Sequence, residues 1–165
     1  MQNHKIEKQF ENCIKENELL IHKVCRMYAY SEADRQDLFQ EIVIQLWKAF
    51  PKFKGNSKFS TWLYRVAINT AITGLRRQKR IIDSYEPTSL SHHLEDNTNY
   101  EEEEQLKLLN DAIEQLNQVE KAIVMLYMEE KTYEEMEDIL GISQGNLRVK
   151  MNRIKGKLRQ LTKSN

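Results

Sequence analysis

"TYEEMEDILGISQGNLRVKMNRIKGKLRQL", residues 132–161, carries two helix signals a few residues apart. Thr132 is a capping residue ahead of an apolar-periodic run that ends at Leu140. Gly141 suits the left-handed position that follows a helix, and Ser143 can cap a second one. Two helices joined by a three- or four-residue turn containing glycine make a helix-turn-helix. From residue 141 to 161 there is no carboxylate at all.

At about 100° per residue, the second helix places Leu147, Met151, Ile154, Leu158 and Leu161 on one side. That side is the expected buried face. Gly145, Val149 and Asn152 point the other way, flanked by Asn146, Arg148, Lys150 and Arg153. The outward face is small or amide-bearing in its middle and cationic at its edges, which suits a major groove. Compact residues let the helix approach base edges, and Arg and Asn bond bidentately to guanine and adenine. Flanking cations neutralise phosphates, and a carboxylate in their place would repel the backbone.

The absence of acids is not a property of the whole chain. Its 165 residues hold 25 Lys and Arg against 25 Asp and Glu, a net charge of zero. The charges are segregated: residues 42–82 hold nine cations and no acid, and residues 139–165 hold seven and none. The rest holds nine cations and all 25 acids. Two separate acid-free blocks build local positive potential suited to a polyanion.

Upstream, the pattern stays helical. Apolar positions from Ile6 to Tyr28 fit one amphipathic helix over 6–29. Ser31, with Asp34 three residues on, starts the next one. Phe39, Ile42, Val43, Leu46 and Phe50 form its apolar stripe, and Pro51 closes it. After the polar loop "KFKGNSK", Ser60 or Thr61 caps a third helix running to about Gln78. On that helix Leu63, Tyr64, Ala67, Ile68, Ala71 and Leu75 share one side. Trp62, Asn69, Thr73 and Arg76, with Arg65 beside them, share the other. Aromatic, amide and cationic groups on one stripe fit single-stranded nucleic acid, where bases stack on rings. Trp62 reads equally well as core, because Trp is on average largely buried.

Residues 83–104 hold eight acids, no Lys or Arg and few aliphatics. Such a segment buries too little apolar area to offset its ordering entropy, and reads as a flexible linker. His92 and His93 within it read as solvated. From Gln105 helical spacing returns through Leu106, Leu109, Ile113 and Leu116, then Ile123, Val124, Leu126 and Tyr127. The expected fold is therefore all-α: two small helical domains on an acidic linker, the second holding the helix-turn-helix. Cys13 and Cys25 fit no zinc spacing and read as reduced and buried. No apolar run approaches the roughly 18 residues of a membrane span, and no signal-peptide core is present, so a cytoplasmic protein is expected. No glycine-rich phosphate loop or HExxH motif points to catalysis, and no cofactor is expected.

Taken together, these stretches resemble the extracytoplasmic-function sigma factors, small two-domain initiation subunits of bacterial RNA polymerase within the sigma-70 family. "DLFQEIVIQLWKAFPKFKGNSKFSTWLYRVAINTAITGLRRQKR" resembles the family's region 2, and "LNQVEKAIVMLYMEEKTYEEMEDILGISQGNLRVKMNRIKGKL" its region 4. The resemblance implies region 2 over 1–82, a linker over 83–104 and region 4 over 105–165. It implies a protein that binds core polymerase, recognises −35 and −10 promoter elements and assists melting, with no catalysis of its own. It places Asp37, Gln40 and Glu41 on the polymerase-binding surface, with Trp47 near it. It places the loop Phe53, Lys54, Gly55, Asn56 and Ser57 against a base flipped from the −10 element, beside Trp62, Arg65, Asn69, Thr73 and Arg76. It places Asn146, Arg148, Val149, Asn152 and Arg153 on the −35 element, with Lys150 and Lys155 nearer phosphate. An anti-sigma factor is a further implied partner. Two positions depart from the pattern. Glu137 stands where the family usually has a small residue, and Thr73 where Asp or Asn is frequent. A stand-alone helix-turn-helix regulator also explains residues 105–165 but leaves 42–82 idle. A helical module that meets acidic proteins through its basic faces is the other rival.

Overall fold

The computed structural model describes residues 1–82 and 100–163. Every regular element among them is helical, and the chain divides into two compact units, Met1–His92 and His93–Asn165. The greater part of the acidic segment, with His92 and His93, lies outside the described residues.

The first unit contains α1 (Gln2–Glu16), α2 (Glu18–Tyr28), α3 (Glu32–Ala49), a 3₁₀ turn (Phe50–Lys52) and α4 (Phe59–Ile82). The single helix expected over 6–29 is two. Asn17 leaves helical geometry at φ −117°, and its side-chain amide donates 2.8 Å to the Cys13 carbonyl. That bond satisfies an end carbonyl of α1 and offers the backbone a local alternative to continuing the helix. Ser31 caps α3 as expected, accepting from the Asp34 N–H at 3.0 Å. The start of α4 differs from expectation. The Trp62 N–H bonds the Lys58 carbonyl, so Ser60 and Thr61 lie inside the first turn rather than capping it. The helix also continues beyond Gln78 to Ile82.

The core of this unit forms where α2, α3 and α4 pack on one another. Ile21 and Val24 from α2, Ile42 and Leu46 from α3, and Leu63 and Ala67 from α4 are fully buried. Each pair follows from helical periodicity, since residues three and four apart share a face. Cys25 belongs to this core, whereas Cys13 is half-buried rather than buried, and both are free thiols. Burial pushes the Cys25 thiol up to about 11, with the Arg35 guanidinium opposing weakly.

The second unit contains α5 (Tyr100–Glu114), α6 (Gln118–Met128), α7 (Tyr133–Leu140) and α8 (Gln144–Lys163). α5 begins five residues before the apolar spacing returns, inside the segment read as linker. Glu101, Glu102 and Glu103 fill its first turn, where carboxylates complement the positive end of the helix dipole. Ile113 is buried, but Leu106 and Leu109 remain exposed, so the upper part of the predicted stripe is uncovered within this unit. Reciprocal capping boxes start α6 at Asn117 with Glu120, and α7 at Thr132 with Glu135. α6 ends in a Schellman turn: Lys131 N–H bonds the Leu126 carbonyl, and Glu130 N–H that of Tyr127. Glu130 occupies the left-handed position of that turn at φ 57°, without being glycine. α5, α6 and α7 all pack against α8.

Candidate nucleic-acid interface

The turn between α7 and α8 is built from local chemistry. The Thr132 hydroxyl accepts from the Glu135 N–H at 3.1 Å, while the Glu135 carboxylate accepts from the Thr132 N–H at 2.8 Å. Gly141 adopts φ 70°, ψ 20°, a conformation open to glycine at no steric cost, and its N–H bonds the Glu137 carbonyl at 2.8 Å. Ser143 then caps α8, its hydroxyl 3.4 Å from the Asn146 N–H. Glu137, which stands on α7 ahead of this turn, is half-buried.

These caps set the rotation of α8. Leu147, Met151 and Ile154 are buried as expected, and Leu158 and Leu161 are half-buried. Asn146, Arg148, Val149, Lys150, Asn152 and Arg153 are exposed, Val149 by 49%. Lys155 is half-buried, its ammonium 4.9 Å from the centre of the Tyr127 ring. Lys157 pairs with Glu120 at 3.2 Å. The Arg148 guanidinium lies over the Tyr133 ring at 5.0 Å. α8 thus presents amide, small and cationic groups on one open face, and that face carries no carboxylate.

On the first unit, Arg65, Asn69, Thr73 and Arg76 are exposed along α4, opposite buried Leu63, Ala67 and Ala71. Trp62 is neither fully core nor bare surface. It is half-buried in a cluster of rings, 5.1 Å from Phe53, 5.4 Å from Phe59 and 6.5 Å from Phe50. These separations lie in the range where tilted and edge-on aromatic pairs attract. Phe53 therefore roots its loop on α4 through Trp62 and Phe59, while Lys54, Gly55 and Asn56 stand exposed and Ser57 half-buried. Gly55 takes φ 73°, a left-handed conformation open to glycine at no steric cost. The structure brings the loop and the head of α4 together into one surface.

Asp37, Gln40 and Glu41 are exposed on α3, as the helix projection requires. The Glu41 carboxylate accepts from the Gln45 side-chain amide at 2.8 Å. Trp47, 41% exposed, meets Phe10 edge-on at 5.0 Å and extends the same stripe. Ile44, 46% exposed, completes that stripe between Gln40 and Trp47. Sequence reasoning passed over Ile44, although its spacing of four from Gln40 signals a shared face. A cleft between α2 and α3, lined in part by His22, Arg26, Arg35 and Phe39, adjoins Gln40. Among the described residues, no three His, Cys, Asp or Glu side chains converge to hold a metal ion. No helix there is long and apolar enough to cross a membrane.

Comparison with known proteins places both units in one family. Residues 13–81 match the model of Sigma-70 region 2, and residues 106–158 that of Sigma-70 region 4. The ECF RNA polymerase sigma-E factor of Haemophilus influenzae is 30% identical over 135 residues, covering 74% of this chain and 71% of that protein. The ECF sigma factor SigG of Mycobacterium tuberculosis is 43% identical over 63 residues. That match covers 38% of this chain and spans only 16% of SigG's length. The fold matches the sigma factor RpoE of Bartonella quintana, solved in complex with the anti-sigma factor NepR. The TM-score is 0.75 at 18% identity, over 94% of this chain and 98% of that one. A region 2 helical unit followed by a region 4 helix-turn-helix, aligned along most of a sigma-E relative, makes the chain a member of the ECF sigma factors of RNA polymerase.

Proposed function

We propose that this chain binds core RNA polymerase and directs it to promoters carrying two separated elements, assisting the melting of the downstream one. The observation that carries this reading is the open face of α8, where Arg148, Asn152 and Arg153 stand exposed on a segment with no acid over 139–165. In this reading residues 1–82 act as region 2, 83–104 as the tether and 105–165 as region 4.

Arg148, Val149, Asn152 and Arg153, with Asn146, read base edges of the −35 element, and Lys150 holds phosphate. Lys155 acts at the margin, its ammonium shared with the Tyr127 ring. The loop from Phe53 to Ser57 takes an extruded base of the −10 element, and Arg65, Asn69, Thr73 and Arg76 track the separated strand. Extruding a base costs a few kcal/mol, which a preformed pocket and an electropositive groove offset. The ring cluster beneath Phe53 supplies the preformed part. Asp37, Gln40, Glu41 and Trp47 dock on polymerase. The chain performs no bond chemistry, since polymerase brings the active site, and it works in the cytoplasm. An anti-sigma factor of the kind seen on RpoE is the natural negative regulator.

Run-off transcription tests this reading. Core polymerase plus the chain should initiate at a defined set of sites in a promoter library, and core alone should not. Identical initiation with and without the chain would refute it. Tight, specific duplex binding by the free chain, without polymerase, would favour a stand-alone regulator instead.

A further inference from the structure

The cations of α8 are not equally available. Lys157 is spent on the Glu120 carboxylate at 3.2 Å, and Lys155 lies 4.9 Å from the centre of the Tyr127 ring. Arg148 is held differently from Lys157. Its guanidinium lies over an aromatic ring, 5.0 Å from the centre, and the side chain stays exposed. A carboxylate partner would occupy the N–H donors that a base edge needs. A ring attracts the cation through its quadrupole and leaves those donors in the guanidinium plane free.

The ring itself is anchored. Tyr133 is the first residue of α7 and half-buried, and the capping box of Thr132 and Glu135 fixes the backbone immediately before it. The ring position is therefore set by α7, while the guanidinium belongs to α8. A long side chain that is otherwise free to rotate loses much of its rotamer entropy when it binds, and a contact that restricts it beforehand lowers that cost.

We propose that Tyr133 is a positioning residue for promoter readout: its ring holds the Arg148 guanidinium in place for a base edge while leaving the hydrogen-bond donors free. The inference rests on α8 being the helix that reads the −35 element. It adds to that reading a residue on the preceding helix that touches no base. It also separates Arg148 from Arg153, which has no such brace and should tolerate changes in α7.

The test uses holoenzyme assembled from core polymerase and the full chain. Competitive transcription is run on templates in which each −35 base pair is varied in turn. Arg148→Ala should lose preference at one or two base pairs. Tyr133→Leu should weaken the same preference by roughly two- to fivefold, the worth of an exposed cation–π contact. Tyr133→Phe, which keeps the ring and drops the hydroxyl, should retain it. Adding Tyr133→Leu to Arg148→Ala should change nothing further. The inference is overturned if Tyr133→Leu lowers transcription equally from every template, if Tyr133→Phe behaves like Tyr133→Leu, or if Tyr133→Leu keeps its effect without Arg148. If Arg148→Ala leaves all preferences intact, it is the −35 reading of α8 that fails, and the role of Tyr133 goes with it.

Discussion

Two residues of α8, two positions apart, should respond in opposite ways to the same truncation. Leu147 is fully buried and Val149 is 49% exposed. Two steps of about 100° turn the helix by about 200°, so one side chain faces the packed helices and the other faces away. Leu147 sits where α8 meets its neighbours, and no solvent reaches it. Leu147→Ala should therefore cost the transfer free energy of the lost methyl groups plus a cavity term, about 2–5 kcal/mol in all. Val149→Ala removes apolar area that is already half in water, and should change stability by no more than about 0.5 kcal/mol. Its cost should appear instead in promoter choice, as weakened preference at a base pair where Val149 meets a thymine methyl. Native-state amide exchange across α6 and α8 reads the stability term helix by helix, and transcription from varied −35 templates reads the other. If Val149→Ala lowers the exchange free energy by 2 kcal/mol or more while Leu147→Ala leaves it unmoved, α8 is rotated the other way.

Three further outcomes follow from the geometry. Glu130 adopts φ 57° in the Schellman turn after α6, a conformation that disfavours any residue with a Cβ. Glu130→Gly should thus raise the stability of the second unit by about 0.5–1 kcal/mol in urea denaturation. Burial pushes the Cys25 thiol from 9.0 to about 11, so the unfolded chain releases that proton first. Its contribution to stability is complete below about pH 9 and declines as pH rises toward 11; burial of the Tyr28 hydroxyl adds a further decline above pH 10. Thermal melting at pH 8 and pH 10.5 should show this fall, and Cys25→Ala should make it shallower. Gln40→Ala combined with Glu41→Ala removes polar groups that are exposed on α3. It should weaken capture of core polymerase with no change in helical content by circular dichroism.

What was legible in the sequence was mostly local. Ser31, Thr132, Gly141 and Ser143 announce helix ends because a short hydroxyl or a missing Cβ acts on backbone within three residues. Leu147, Met151 and Ile154 announce a buried face because their spacing matches the helical turn. The misreadings have physical causes too. The apolar pattern runs unbroken from Ile6 to Tyr28, so it conceals the break that the Asn17 amide creates by bonding the Cys13 carbonyl. Periodicity shows that Leu106 and Leu109 share a face, but not whether anything within their own unit covers it. The start of α5 is set by Glu101, Glu102 and Glu103 favouring a helix N-terminus, an electrostatic effect invisible to an apolar count. Glu130 fills a glycine position without glycine. Trp62 could be resolved only by long-range packing, because its partners come from the 3₁₀ turn and the loop as well as from α4. The Tyr133–Arg148 contact joins different helices, and neither residue type demands the other.

The proposal that both surfaces grip one promoter makes spacing decisive. B-DNA turns once in about 10–10.5 base pairs, so inserting five between the elements rotates one to the opposite side of the duplex. Run-off transcription from templates whose spacer grows one base pair at a time should give a sharp optimum and almost no product at five added pairs. Product that stays constant across those spacers would contradict simultaneous recognition of the two elements by this chain.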